Sequence, residues 1–210
     1  MATHGRRLLL SLGIAAVVGA LGATWMAMRS AGAASCTIAT ITWDGGAGTT
    51  SWEDATNWNP DRLPTTTDHV CIPSGAPGTF VSVNASETVL SVEGQKQVRI
   101  PGSLEVTSTT QTSALKSLKL SGTLTGAGSR TVAGTFIWSS GTIAGPGTTT
   151  VAAGATLAVT NAFCFCHYLD GTTLQNNGTA SMAVDTYILF YNGATLANAG
   201  SFDLADNARM

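Results

Sequence analysis

A glycine-bounded segment that occurs twice near the end of the chain constrains the fold more than any other feature. Residues 170–178 (DGTTLQNNG) return 22 positions later as residues 192–200 (NGATLANAG). Similarly, residues 122–128 (GTLTGAG) return 19 positions later as residues 141–147 (GTIAGPG). Repeats of about 20 residues, made of short β-prone pieces and glycine corners, indicate a β-solenoid. Such an architecture has no obligatory active site.

The composition agrees with a chain of strands and tight turns. Charged residues make up 10% of the 210 residues, whereas 44% are hydrophobic. Surface helices need more Glu, Lys and Arg than this chain offers, and the apolar fraction is too high for a disordered chain. We therefore expect an all-β protein: a right-handed, single-stranded parallel β-helix with a small irregular N-terminal cap. An antiparallel sandwich is the alternative fold.

Residues 79–210 are the β-helix repeats in this prediction. The next coil, about 4.8 Å away, covers the apolar side chains and pairs the backbone groups that a single coil would expose. Glycine supplies the positive φ angles that corners need. The predicted corners are Gly171, Gly178, Gly193 and Gly200. Asn176 and Asn198 occupy equivalent places beside a corner, so we expect their amides to stack as a polar ladder.

The N-terminus has the three parts of an export signal. A pair of arginines precedes the apolar stretch 8–28, and small residues follow at 31–35. This pattern predicts a secretory signal peptide over residues 1–34, with cleavage after Ala33 or Ala34. An uncleaved membrane anchor is the alternative, because the apolar run is long enough to span a bilayer. Either way we expect a secreted or cell-surface location.

Removal of this leader makes the chain acidic. It takes away three of the 10 basic residues, which leaves 7 against 12 acidic ones and a net charge near −5. We therefore expect no basic patch and no nucleic-acid partner. Contact with a membrane is expected only through the leader, if the leader is not cleaved.

The four cysteines of an exported chain indicate disulfides. Pairing of Cys36 with Cys71 closes a loop of 35 residues, worth about 3–4 kcal/mol in the chain-entropy model. Cys164 and Cys166 lie at the edge of disulfide reach in an extended strand, so they can bond only if the chain bends there. With His167 they could instead begin a zinc or copper site. No second cluster of ligands is evident, so we expect a disulfide or buried thiols, and no metal or cofactor.

Residues 35–78 are expected to form a compact cap closed by the first of these disulfides. Trp43, Trp52 and Trp58 lie close together in it. Three tryptophans could form a platform that stacks on sugars. A short, loop-rich segment, however, needs large side chains for its own core, and we favour that role.

The same stretch resembles a known kind of module. It has Trp-x-x-x-x-x-Trp at 52–58, Leu-Pro at 63–64 and Asp-x-Val-x-Ile-Pro at 68–73, and it leads to VRIPGSLEV at 98–106. This order is similar to the start of G8-type modules. It is more similar to the Trp-Gly-Gly…Asn-Trp openings of large bacterial secreted repeat proteins. In both groups this stretch begins a pectin-lyase-like, right-handed parallel β-helix, so the resemblance, over residues 43–106, implies that fold here.

Catalysis must be considered, because parallel β-helices include polysaccharide lyases and hydrolases. Such sites need clustered carboxylates, often with Arg or Lys, and the acidic residues of this chain are scattered. Asp170 occupies the place of Asn192 one repeat later, which suits a turn residue better than a catalyst. We therefore expect no catalytic residue and no enzyme activity.

The expected function is that of a non-catalytic structural or adhesin-like β-helix of the bacterial cell surface or extracellular space. A carbohydrate-binding or polysaccharide-cleaving β-helix is the alternative. The expected partners are cell-wall or extracellular glycans, or other surface proteins. No polar cap follows the last repeat, which favours a fragment of a longer chain over an end that pairs with another molecule.

Overall fold

A computed structural model of the protein describes residues 36–160 and 167–210. Within these two ranges the chain forms 19 strands and a short 3-10 helix at Ala55–Asn57. The predicted leader, Cys164 and Cys166 lie outside the described residues. The strands are β1 (Ile41–Trp43), β2 (Trp58–Asn59), β3 (His69–Ile72), β4 (Phe80–Ser82), β5 (Ser86–Val89), β6 (Ser91–Ile100), β7 (Ser103–Val106), β8 (Ser113–Leu120), β9 (Thr123–Thr125), β10 (Arg130–Trp138), β11 (Gly141–Ala144), β12 (Thr148–Val151), β13 (Thr156–Val159), β14 (His167–Asp170), β15 (Thr173–Asn176), β16 (Thr179–Met182), β17 (Ile188–Tyr191), β18 (Thr195–Asn198) and β19 (Ser201–Leu204).

Each full coil contributes a strand, or half of a long strand, to each of three faces. The first face contains β1, β3, the first halves of β6, β8 and β10, and then β12, β15 and β18. The second face contains β4, the second halves of the same long strands, and then β13, β16 and β19. The third face contains β5, β7, β9, β11, β14 and β17.

Neighbouring strands within each face are parallel, and the coils make a β-solenoid of about 6 turns. This confirms the predicted all-β class and the stacking of parallel coils. The sandwich alternative is wrong, because it requires antiparallel ladders. Antiparallel pairing occurs between β1 and β2, in the segment predicted as the cap.

The core runs along the axis of the solenoid. Side chains alternate along each strand, so Leu118 and Leu120 are buried while Lys119 between them is exposed. The continuous buried cluster extends from Ile41 to Ile188. Side chains at the outward positions do not contribute to this core. A binding surface would therefore consist of outward-facing residues.

Residues 36–78 join the solenoid through its own ladders. β3 pairs in parallel with β6 on the first face, and Ser51 bridges to Ser82 on the second. The domain boundary at residue 78 stays a prediction, since the first face is continuous across it.

Candidate functional site

The three tryptophans of the N-terminal segment lie in its interior. Trp43, Trp52 and Trp58 are at most 1% exposed. Trp58 meets the rings of Trp43 and Trp52 edge to face, with centroid distances of 5.0 and 4.7 Å. Its Nε1 donates to the carbonyl oxygen of Trp52 at 2.8 Å. These rings therefore cannot serve as a sugar-stacking platform; they form the core of the segment.

Cys36 and Cys71 form a disulfide, with their Cα atoms 5.5 Å apart. The backbone nitrogen of Cys36 also donates to Oε2 of Glu93 at 2.7 Å, and Glu93 is the ladder partner of Cys71. Both contacts tie residue 36 to the first face. A disulfide is compatible with an extracytoplasmic protein.

An ion pair with a buried carboxylate and a partly exposed arginine holds the loop that leads into β3. The side chain of Asp68 is 3% exposed and accepts two hydrogen bonds from Arg62, at 2.7 and 2.8 Å. Thr40 and Thr65 donate to the same carboxylate. The hydrogen bonds from Arg62 hold the pKa of Asp68 well below its usual range, although burial acts in the opposite direction. The carboxylate of Asp68 is therefore engaged in hydrogen bonds that stabilise the fold.

Two different constraints favour glycine at the predicted corner positions. Gly171 and Gly193 have φ angles of +59° and +73°, which favour glycine. Gly178 and Gly200 lack a positive φ, but a Cβ on either would overlap a carbonyl oxygen of the preceding coil. The second pair therefore permits the close approach of neighbouring coils.

Asn176 and Asn198 are ladder partners on the first face. Asn176 is buried, and its Nδ2 donates to the carbonyl oxygen of Ser201 at 2.8 Å. Its Oδ1 accepts from the backbone nitrogen of Gly178 at 3.1 Å. The predicted ladder position is thus also a cap for corner backbone groups.

The register of the last two coils departs from the sequence repeat at one corner. Leu174 pairs with Leu196, as the 22-residue step requires. On the third face, however, Asp170 pairs with Tyr191, because the corner after Tyr191 contains one more residue than the corner after Asp170. The expectation that Asp170 takes the place of Asn192 is therefore wrong. Instead, Nδ2 of Asn192 donates to Oδ1 of Asp170 at 2.5 Å.

Two carboxylates lie together where the N-terminal segment meets the first coil. Glu53 accepts from Ser51 Oγ at 2.6 Å and from the backbone nitrogens of Asn84 and Ala85 at 2.5 and 2.9 Å. Burial raises the pKa of Glu53, but these hydrogen bonds outweigh it and hold the pKa below its usual value. Burial also raises the pKa of Glu87, and the charge of Glu53 raises it further.

Carboxylates with pKa values pushed apart are a feature of acid–base catalysts. Here both oxygens of Glu53 already hold neighbouring groups, including the backbone at residues 84 and 85. Glu87 stands in register with Leu104, which is buried, so its ladder position faces inward. The arrangement serves to join the N-terminal segment to the first coil.

The described residues contain neither a metal-binding group of side chains nor a membrane-spanning helix. In residues 36–160 and 167–210, no group of three or more His, Cys, Asp or Glu side chains is placed to hold a metal ion. Over the same ranges, no helix has the length and hydropathy that crossing a bilayer requires.

Outward-facing apolar side chains gather on the third face, where Tyr168, Leu189 and Tyr191 form what we call the tyrosine patch. Tyr168 is the ladder partner of Leu189, and Leu189 and Tyr191 are 42% and 49% exposed. The two tyrosine rings lie 6.0 Å apart at an angle of 39°. Next to them the hydrogen-bonded pair of Asp170 and Asn192 offers polar atoms.

The earlier coils carry hydroxyl side chains at the same outward position, at Ser103, Thr123 and Thr142. The outward side of the third face is therefore polar in the earlier coils and apolar at the tyrosine patch. The sequence signal for the tyrosine patch is the run of four apolar residues at 188–191. This run lacks the alternation of a half-buried strand, and so predicts apolar side chains on both the inward and the outward side of the strand.

A second surface corrects the expectation that the chain has no basic patch. Four of the seven basic residues that follow the leader lie on two adjacent coils. They are Lys96, Arg99, Lys116 and Lys119. The net charge does not reveal them, because the acidic residues, among them Glu93 on β6, outnumber the basic ones.

Comparison with known proteins adds no family to these observations. No protein-family model matches the chain, and no curated protein or solved structure matches it either. The resemblance to G8-type modules and to secreted bacterial repeat proteins thus rests on the residues that carry it.

Proposed function

We propose that the chain is an exported, non-catalytic β-solenoid that acts as a rigid, adhesin-like scaffold on a bacterial cell surface. The observation that carries this proposal is the uninterrupted stacking of three parallel ladders around one buried core. Such a body is stiff along its axis and presents outward side chains at fixed spacings. The leader pattern, the disulfide and the resemblance of residues 43–106 to secreted bacterial repeat proteins support export.

Export is tested by expressing the full chain in a bacterium with a Sec system. The expected result is an extracytoplasmic product whose N-terminus, measured by mass spectrometry, is Ala34 or Ser35. A product that stays in the cytoplasm with Met1 at its N-terminus contradicts the proposal.

Carbohydrate binding is the second candidate, and the tyrosine patch favours it. Aromatic side chains stack on the apolar faces of sugars, and a carboxylate beside an amide can bond to hydroxyl groups. Tyr191 and Asn192 are both exposed to solvent.

The test is retention of the protein on insoluble neutral glycans, such as cellulose and chitin. The Tyr168→Ala/Tyr191→Ala variant is expected to lose most of the retention. The matched control, Thr123→Ala/Thr142→Ala, alters outward residues of the same face and should retain the wild-type behaviour. Equal retention of both variants, or release of soluble sugars by the wild type, contradicts a non-catalytic binding role for this patch.

A further inference from the structure

We propose that Lys96, Arg99, Lys116 and Lys119 form a binding site for an acidic polysaccharide. We call these four residues the basic cluster. The site is separate from the tyrosine patch and goes beyond the proposed function, because it selects ligands by charge.

The stacking of the coils creates the cluster. Arg99 and Lys119 are ladder partners on the second face, and both point outward, since the flanking residues Val98, Leu118 and Leu120 are buried. Lys96 and Lys116 lie at the corner that precedes this face, in the irregular stretch between the paired residues of β6 and β8. Successive coils are about 4.8 Å apart, so the four cations lie on neighbouring coils. Nζ of Lys96 donates to the carbonyl oxygen of Gly78 at 2.6 Å, which leaves its other two hydrogens for a ligand.

None of these four residues forms an ion pair within the described chain, where the ion pair observed is that of Arg62 with Asp68. Like charges on neighbouring strands repel. Glu93, on the same strand as Arg99, lies on the first face, where its Oε2 accepts from the backbone nitrogen of Cys36. Along the described outward ladder of Arg99 and Lys119, the only acidic residue is Asp203, four coils beyond Lys119. At about 19 Å, that distance exceeds the screening length of physiological salt. A bound polyanion would relieve the repulsion.

Arg99 is already held in position for an anion. Its guanidinium carbon lies 3.5 Å from the centroid of the Phe80 ring, and its Nε donates to Oε1 of Gln97 at 2.6 Å. These contacts leave the two terminal nitrogens for a carboxylate or sulfate group. Ser117, the ladder partner of Gln97, adds a hydroxyl beside them.

The surroundings favour a polysaccharide over other polyanions. Nucleic-acid bases need exposed rings on which to stack, and the nearby Phe80 ring is covered by Arg99. An anionic membrane surface favours apolar side chains that insert beside the cations, and the exposed large apolar residues of the described chain lie elsewhere. Amide and hydroxyl groups at Gln97, Ser117 and Thr135 suit sugar hydroxyls instead.

Dextran and dextran sulfate test the inference, because they share a backbone and differ in charge. The full chain should bind dextran sulfate but not dextran. With four charges engaged, the affinity should fall roughly fiftyfold between about 50 and 200 mM salt. The Arg99→Gln/Lys119→Gln variant should bind more weakly and show only a roughly sevenfold fall. The control Arg209→Gln removes a cation at the far end and should leave the salt dependence unchanged.

Several results would overturn the site. These are equal binding of dextran, an unchanged salt dependence in the double variant, or an equal loss in Arg209→Gln. Tighter binding of single-stranded DNA than of dextran sulfate at equal charge would assign the cluster to nucleic acid. Circular dichroism of each variant checks that the fold is intact. Loss of neutral-glycan retention in the tyrosine variant does not bear on this site, so the two proposals fail independently.

Discussion

Asn176 donates its side-chain amide to Oδ1 of Asn198 in the next coil, at a distance of 2.7 Å. The two residues hold equivalent places, but their surroundings differ, since Asn176 is buried and Asn198 is exposed. The same side chain also serves the backbone of Gly178 and Ser201. Of the two asparagines, Asn176 therefore contributes more to the stability of the fold.

Replacing Asn176 by Ala should destabilise the protein by about 1–3 kcal/mol, because the buried N–H of Gly178 and the carbonyl oxygen of Ser201 lose their partner. Asn198→Ala is the matched control and should cost less than about 1 kcal/mol, since water can replace an exposed amide. Urea unfolding followed by circular dichroism measures both. Equal losses in the two variants would show that the buried contacts carry no special weight.

Replacing Gly178 by Ala should cost about 1–3 kcal/mol, because the added methyl group overlaps the carbonyl oxygen of Ala155. Gly75→Ala is the control: no atom lies within 4 Å of its Cβ position, and its φ is not positive. That control should stay within about 0.5 kcal/mol of the wild type. Thermal unfolding compares the two, and an unaffected Gly178→Ala variant would contradict the close approach of the coils.

Reduction of the Cys36–Cys71 bond should lower the unfolding free energy by about 3–4 kcal/mol, because the unfolded chain regains the entropy of a 35-residue loop. Peptide mapping by mass spectrometry should show the two cysteines in one linked fragment before reduction and in two afterwards. The Cys36→Ser/Cys71→Ser variant should match the reduced protein in stability. A linked fragment that joins either residue to another cysteine would refute the pairing.

Acid should weaken the Arg62–Asp68 contact. The pKa of Asp68 is lowered in the folded state from an ordinary value of 3.8, so the unfolded chain binds its proton more readily. The stabilisation is therefore present at neutral pH, begins to be lost as the pH falls through the ordinary value, and is gone below the folded-state pKa.

The Asp68→Asn variant isolates that contribution. It should be less stable than the wild type at neutral pH, and the difference should shrink steadily as the pH falls below about 4. Unfolding free energies measured over a pH series test this. Asp61→Asn, which removes an exposed carboxylate nearby, should run parallel to the wild type. A stability difference that is independent of pH would contradict the ion pair.

The sequence predicts the coils well because their signals are local. Alternation of apolar and polar residues identifies the strands, and repeats such as GTLTGAG and GTIAGPG place equivalent corners over one another. Thr123 and Thr142 pair accordingly. The prediction for the first disulfide succeeds for a similar reason, since the chain offers only four cysteines.

The candidate surfaces were missed because they join residues from different coils. The pairing of Asp170 with Tyr191 depends on one additional residue in a corner, which the 22-residue repeat conceals. The basic residues are spread over 96–119 in the sequence. The length of each coil determines whether these basic side chains lie next to one another.

The class of fold, the buried stripe of each strand and the glycines at the corners can be read from the chain, because strand alternation and corner conformation are set by neighbouring residues. Which outward side chains lie next to one another is known only from the stacked coils. Lateral register follows from the exact length of every coil, and a change of one residue in one corner moves each partner. Arg99 therefore lies beside Lys119, and Tyr168 beside Leu189, only once the coils are stacked.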